Sequence, residues 1–233
     1  MSERSPRGEG TDAESIRTLR EALRVFASRP GPKLIATTAG TMWALRATLG
    51  PPGLADVAAA GAAVAWWPFQ EWLMHKHLLH MEPRKVFGLD FDPLFARKHR
   101  AHHRNPKDVD GTLLPPSVIA SAIPGASAAW LMLIGPRRAA VTAMATYSSM
   151  ALFYEWTHFI VHTGVTPKTA YGKRVRRSHR LHHFRSEQQW FGFTLPEVDT
   201  WLGTDPDPAS VPRSKTAMDL HGLDAAARAA IDG

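Results

Sequence analysis

The sequence predicts an all-α, integral-membrane fold: a four-helix bundle of two hairpins, with a cytosolic helical cap. Three observations predict it. Four apolar stretches near bilayer-crossing length fall into two pairs, each pair divided by a short Pro/Gly break. Basic residues gather outside and between the pairs. Histidines gather where the second and fourth stretches end.

Residues 1–33 form a polar lead. Within it, Ser15 to Ala27 reads as an amphipathic helix with Ile16, Leu19, Leu23 and Phe26 on one face. Its arginines suit a lipid headgroup layer, and packing against the rest of the domain is the equal alternative. The first 15 residues are polar and lack the apolar core of a secretory signal. Residues 34–205 form the main domain. Leu34–Leu49 is short and carries Arg46, so its crossing is marginal; Leu54–Leu73 follows Pro51-Pro52-Gly53. Ser117–Ile134 is the third stretch and Ala139–Val161 the fourth, separated by Gly135-Pro136-Arg137-Arg138. A spanning helix needs about 20 apolar residues, which the second and fourth supply and the third nearly does. Residues 206–233 are a polar tail.

Of 28 lysines and arginines, 7 lie in residues 1–33, 8 in 76–113 and 10 in 163–233, leaving Arg46, Arg137 and Arg138 for the two hairpin turns. The positive-inside rule therefore places lead, middle segment and tail in the cytoplasm. The competing reading is a soluble bundle with Ala-rich core helices. A net charge of +7 admits a nucleic-acid partner, but the charge tracks these loops and no nucleic-acid motif accompanies it. The chain has no cysteine, which excludes disulfides, thiolate metal sites and iron–sulfur clusters. Any metal needs nitrogen or oxygen ligands, and there are 12 histidines.

Ten of them form four groups: His75 and His80; His99, His102 and His103; His158 and His162; His179, His182 and His183. Each H-x-x-H-H places its rings on one helix face, so three imidazoles should aim in one direction. His158 and His162 share a face. His75 and His80 stand five apart and should diverge unless the helix unwinds there. A pair followed 17 to 19 positions later by a triplet occurs once per half, which suggests two similar halves meeting at a dimetal site. Five imidazoles per ion leave one position of a six-coordinate metal open, and imidazole suits iron, copper, zinc and nickel. His77 and His221 fall outside the pattern and read as non-ligands.

A carboxylate-rich di-iron site would need two Glu-x-x-His motifs, and only Glu155-x-x-His158 fits. Glu71, Glu155 and Asp199 read instead as partners that orient ligating imidazoles, with a helix-end ion pair or turn cap as the plainer role. A metal transporter would string histidines through the membrane; here they crowd one edge, which favours a fixed site.

The four histidine groups, with Tyr154-Glu155-Trp156-Thr157-His158, Trp190-Phe191-Gly192, Asp199 and Gly203-Thr204, resemble the fatty acid hydroxylase and sterol desaturase superfamily over roughly residues 55–205. The resemblance implies a membrane enzyme that uses O2 to hydroxylate or desaturate a lipid, with two iron ions on the ten histidines. Zinc is a plausible substitute in purified samples. The third histidine group lacks the Asp-Gly expected of beta-carotene hydroxylases, since Phe159-Ile160 follows His158. A fatty-acyl lipid is therefore favoured over a carotenoid or sterol. The 33-residue lead is too short for a fused cytochrome b5-like domain, so a separate ferredoxin, cytochrome b5-like protein or reductase is implied as electron donor. Trp72 and Trp156, with Trp66, Trp67, Phe69 and Phe153, are candidates for lining a lateral lipid route. Arg180, in the basic run starting at Arg174, is a candidate for holding a headgroup. The Ala- and Arg-rich composition suggests a bacterial plasma membrane.

Overall fold

The computed structural model describes residues 12–135 and 137–220. His221 lies outside the described residues. After a single 3₁₀ turn at Ala13–Ser15, α1 spans Leu19–Ser28, α2 Pro30–Thr48, α3 Leu54–Met74, α4 Leu94–Arg104, α5 Pro116–Leu133, α6 Arg137–His162, α7 Ala170–Phe184, α8 Glu197–Trp201 and α9 Lys215–Met218. The four apolar stretches thus become α2, α3, α5 and α6. The helix α2 begins at Pro30, inside the polar lead, because proline at the first helical position sacrifices no hydrogen bond and has its φ already set.

The all-helical expectation needs one correction. Arg84–Val86 (β1) and Leu89–Phe91 (β2) pair as an antiparallel hairpin. Its two turn residues, Phe87 and Gly88, have φ of 50° and 80°, the conformation that two-residue hairpin turns demand.

Packing centres on α6, which lies against α2, α3 and α5. Ala59, Ala63, Ala139 and Ala143 meet at one contact with Trp130, and their small side chains let the helix backbones approach closely. At the far end from the histidines, a buried ionic staple joins the two hairpins. The Arg46 Nε lies 2.9 Å from Asp56 Oδ1 and 2.7 Å from Thr142 Oγ1, and the Thr142 hydroxyl donates to Asp56 at 2.6 Å. Arg46 also caps the α2–α3 turn by donating to the Gly50 carbonyl.

The lead packs onto the bundle. Phe26 of α1 meets Trp156 edge-on at 5.2 Å and lies beside Phe159 at 5.6 Å, and Ile16 and Ala22 are buried with it. Leu19 and Leu23 face outward. The expected single apolar face is split because the helix starts at Leu19, so Ile16 reaches the core from the preceding turn. The described part of the tail is tied back to α7 by Ser214, whose N–H donates to the Arg185 carbonyl at 2.9 Å.

Among the described helices, α5 alone is both long and apolar enough to cross a membrane by length and composition. The expectation of four such spans is met only in part. Alanine contributes little hydropathy, and α2, α3 and α6 carry Arg46, Asp56, Glu71 and Glu155.

Candidate metal centre

Four elements deliver the histidines. His75 and His80 bound a single π-helical turn, His75–Leu79, that continues α3; the His80 N–H donates to the His75 carbonyl at 3.3 Å. The expected divergence of this pair does not occur. One extra residue in the turn returns position i+5 to the face of position i, and the two Nε2 atoms lie 3.1 Å apart. The C-terminal parts of α4 and α7 carry the triplets, and the end of α6 carries His158 and His162.

The ten rings assemble into two groups of five. One comprises His75, His80, His99, His103 and His182; the other comprises His102, His158, His162, His179 and His183. Within each group the candidate ligand atoms lie within 4.8 Å of one another. Each group draws four rings from one half of the chain and one from the other. The middle histidine of each triplet, His102 or His182, crosses over. The reading that each triplet aims all its rings one way is therefore corrected. Positions i and i+4 stay together, while i+3, displaced around the helix, reaches the neighbouring group. His103 and His183 stack at 4.0 Å where the two groups adjoin.

The spacing of the nitrogens fits a metal ion. In the first group the Nε2 atoms of His80, His99, His103 and His182 form a closed ring with edges of 3.0, 3.2, 3.1 and 3.1 Å. His75 Nε2 lies 3.1 Å from two of them, His80 and His99. Metal–imidazole bonds of about 2.1 Å give neighbouring nitrogens of an octahedral shell a spacing of about 3.0 Å. Hydrogen bonding cannot explain the ring. His80 Nε2 has three such neighbours and at most one proton to donate. In the second group, His102 and His179 Nε2 lie 3.1 and 2.6 Å from His162 Nε2, and the buried Nε2 atoms of His158 and His183 have no hydrogen-bond partner.

Electrostatics agree. Burial first, and neighbouring imidazoles second, hold His99, His102, His103, His179 and His183 well below the ordinary histidine pKa. Burial pushes His182 down to about 4. The rings are therefore neutral at physiological pH, the state in which an imidazole nitrogen can ligate.

Backbone carbonyls fix several tautomers. His75 Nδ1–H donates to the Phe191 carbonyl and His182 Nδ1–H to that of Gln189, each at 2.7 Å. The carbonyls of Thr112 and Pro106 serve His158 and His162. Such partners aim Nε2 and raise its basicity.

The three acids act on this backbone and make no hydrogen bond to an imidazole among the described residues. Asp199 accepts the N–H groups of Phe191 and Gly192, both at 2.8 Å, and the Thr204 hydroxyl at 2.7 Å. It thereby sets the carbonyl that His75 uses. Glu71 accepts from the Phe193 N–H, from the Thr194 N–H at 2.9 Å and hydroxyl at 2.6 Å, and from Trp67 at 3.0 Å. Glu155 accepts the Leu114 N–H at 3.1 Å, beside the Thr112 segment. Phe193 closes the centre by packing on His75, His158 and His179. Sequence reasoning missed these carbonyls, since a backbone acceptor has no residue signature, and it did not single out Phe193.

A cavity of about 360 Å³ between α2, α3, α5 and α6 borders the first histidine group at His75. Its wall is mostly apolar, with Ile119, Ala126, Met144 and Ala151 among the lining residues and Gln70 and Tyr147 as a hydrogen-bonded polar pair. Of the expected aromatic lining, only Trp67 borders it. Trp72 instead donates to the Thr204 hydroxyl and packs on Phe191, and Trp156 packs on α1. Trp66, Phe69 and Phe153 face outward. His77, outside both groups, lies edge-on to Trp72. Arg180 lies in an outward groove and does not border the cavity; its guanidinium sits over Phe184 at 5.2 Å.

Comparison with known proteins agrees with this site. Residues 60–204, more than half of the chain, match the fatty acid hydroxylase family model. The chain belongs to the fatty acid hydroxylase family. Fatty acid 2-hydroxylase of Rattus norvegicus is 30% identical over 138 residues, covering 59% of this chain and 37% of that protein. Dihydroceramide fatty acyl 2-hydroxylase FAH2 of Arabidopsis thaliana is 27% identical over 146 residues, covering 61% of this chain and 58% of that protein. The matched part of the chain thus spans between about a third and three fifths of these relatives' length. A solved structure described as full-length scs7p, with only its hydroxylase domain visible, shares the fold at a TM-score of 0.62 and 18% identity, covering 88% of this chain and 71% of that one. The histidine groups, the Glu71 and Asp199 contacts and the cavity border at His75 all fall within the family match.

Proposed function

We propose that this protein is a membrane-embedded, O2-dependent lipid hydroxylase that holds two iron ions on its ten grouped histidines and acts on a fatty-acyl chain. The observation that carries this reading is the convergence of ten neutral imidazole nitrogens into two octahedral-sized groups beside an apolar cavity.

The distribution of polarity supports a bundle set in lipid. Four of its charged side chains, Arg46, Asp56, Glu71 and Glu155, are buried, and the exposed Lys33, Arg137 and Arg138 lie at the first turns of α2 and α6. Its outer surface carries large apolar side chains, including Val57 at 67% exposure, Met132 at 80% and Leu133 at 77%, along with Trp43, Val64 and Trp66. A water-facing bundle would reverse that order.

Bound iron would supply the oxygen-activating chemistry, and the balanced reaction is RH + O2 + 2 e⁻ + 2 H⁺ → ROH + H2O. The chain's own groups do the positioning. Ten imidazoles would hold the ions, and carbonyl partners on His75, His158, His162 and His182 help to aim their rings inward. Phe191 and Phe193 cover the centre and keep water out. The cavity aligns an acyl chain among α2, α5 and α6 with its reacting end at His75. The relatives' names specify carbon 2 of a fatty acyl group, and a chain lying tail-inward in this cavity would bring a carbon near its carboxyl end to the metals.

The test compares wild type, His102→Ala and His77→Ala in native membranes, reading iron content and hydroxylated acyl lipid by mass spectrometry. The expected result is loss of product and of bound metal with His102→Ala, and wild-type behaviour with His77→Ala. Unchanged product with His102→Ala would overturn the ligand assignment. Zinc in a purified sample would not, because zinc competes well for imidazole.

A further inference from the structure

The β1–β2 hairpin carries a surface that the metal centre and the cavity leave unused. It pairs Arg84 with Phe91, Lys85 with Asp90 and Val86 with Leu89. Directly paired residues share a face, so Val86, Leu89 and Phe91 line one side with Arg84, and Lys85 and Asp90 line the other. On the polar side Lys85 Nζ lies 3.4 Å from Asp90 Oδ1. The apolar side is bare: Leu89 is 75% exposed, Phe91 40%, and Phe87 at the tip is fully exposed. A two-stranded hairpin is marginal in water unless such a face packs against something.

The tip is costly to build. Phe87 has φ of 50°, in the left-handed region, and stands where Asn, Asp or Gly normally serves. Strain of this kind persists where the surrounding structure holds it in place, and it gathers at sites of use. The base of the hairpin supplies that hold. Arg100 donates to the Met81 carbonyl on one side, and its other nitrogen lies 2.6 Å from Asp92 Oδ1 on the other. Arg100 follows His99 on α4, so the hairpin is clamped to the helix that carries the first histidine triplet.

The surroundings name the partner. The chain enters the hairpin from the cavity rim and returns to it, since Leu78, Leu79 and Phe95 all border the cavity. On that approach Leu73, Met74 and Leu78 are exposed, so the outward apolar surface of the bundle runs on toward the hairpin. In the helix that follows, Arg97, Lys98 and Arg104 are exposed, and among the described residues none of the three forms an ion pair. Exposed aromatic and aliphatic side chains flanked by cations suit the interface of an anionic leaflet.

We propose that the β1–β2 hairpin is a membrane finger: Phe87, Leu89 and Phe91 enter the headgroup–acyl boundary of an anionic phospholipid leaflet and hold the cavity rim at the lipid surface. The proposal rests on the membrane-embedded reading above. The cations of α4 stay among the headgroups while the apolar face of the hairpin gains the cover that the chain itself does not give it.

The chain has no cysteine, so a single introduced cysteine takes a nitroxide label at a chosen place in the full-length, metal-loaded protein. The protein is set in nanodiscs of phosphatidylcholine and phosphatidylglycerol, and collision with water-soluble chromium oxalate is read by electron paramagnetic resonance. Lys85→Cys reports on the hairpin from its polar side, where the label does not itself supply the apolar contact. Met132→Cys reports on the outer surface of the bundle and Ser210→Cys on the exposed tail. The expected result is a label at position 85 that is shielded relative to one at position 210. Adding Phe87→Asn with Leu89→Asn should raise the water-exposed population at position 85 about tenfold, since burial of one such side chain shifts an equilibrium by that order or more. Asparagine suits the left-handed turn, and equal metal content shows that the cap is intact. Phe87→Leu with Leu89→Phe should keep the shielding. Shielding unchanged by the two asparagines would overturn the finger. Equal accessibility at positions 85 and 210, with position 132 shielded, would overturn it and leave the membrane reading standing. Shielding present in native membranes but absent from the discs would also overturn it, and would assign the face to a protein partner. A water-accessible label at position 132 would overturn the membrane reading and the finger with it.

Discussion

Asp199→Asn tests whether the acids tune the metal centre through the backbone. Asp199 Oδ1 takes the Phe191 N–H and the Thr204 hydroxyl, and Oδ2 takes the Gly192 N–H. Asparagine keeps the shape but replaces one oxygen with an NH2 group. With its oxygen at the Oδ1 position, that NH2 faces the Gly192 N–H, and two donors confront each other in a buried site. Leaving one buried donor unsatisfied costs about 1–3 kcal/mol. The only relief is for the 191–192 segment to shift, and the Phe191 carbonyl that anchors His75 shifts with it. Loss of such an orienting partner lowers metal affinity by about 10–100-fold. The second histidine group shares no residue with this relay, so its affinity should fall less. The assay is a chelator titration followed by metal analysis. Wild type should release its ions over a narrow chelator range, and Asp199→Asn should release one equivalent about 10–100-fold earlier than the other. Release curves that superimpose would refute the relay.

Three further outcomes follow from the same contacts. Gly192→Ala would place a Cβ 2.8 Å from Val198 Cγ1 and 3.0 Å from the Leu195 carbonyl oxygen; overpacking of this kind costs about 1–3 kcal/mol, which a lowered melting temperature and weaker metal retention would report. Ala151→Phe should obstruct the cavity and cut product about 100-fold by displacing the chain, with metal content unchanged; unaltered product would place the substrate elsewhere. Acid should weaken the metal-free protein. His182 falls from 6.5 to about 4 on folding, so between those pH values the unfolded chain binds a proton the folded one does not. Stability is intact above pH 6.5 and is lost as pH falls, by about 1.4 kcal/mol per unit for this one ring, with the other buried rings adding in the same direction. A melting temperature that stays flat between pH 7 and pH 5 would contradict this.

Much of the site was legible because chain neighbours become helix neighbours. His158 and His162 share a face of α6 as their four-residue spacing requires, and the apolar stretches become helices with ends moved by only a few residues. Three features were illegible for separate reasons. The π turn at His75 reverses what an α-helical period says about a five-residue interval. The split of each triplet depends on where a second helix stands, which spacing within one helix cannot report. The roles of Glu71, Glu155 and Asp199 pass through carbonyls and amides that every residue carries alike. The aromatic lining was misplaced because apolar character does not distinguish a side chain facing outward, such as Trp66, from one facing a cavity, such as Trp67.

The exchange of His102 and His182 has a consequence for stoichiometry. Neither half of the polypeptide owns a complete coordination set, so filling one pocket already fixes the helix that must lend a ring to the other. The ordering entropy of α4 and α7 is largely spent on the first ion, which makes the second bind more readily. Wild-type preparations should therefore favour two equivalents over one, a balance that Asp199→Asn tips by weakening one pocket. Truncation to either half should leave a peptide without a lasting grip on any ion.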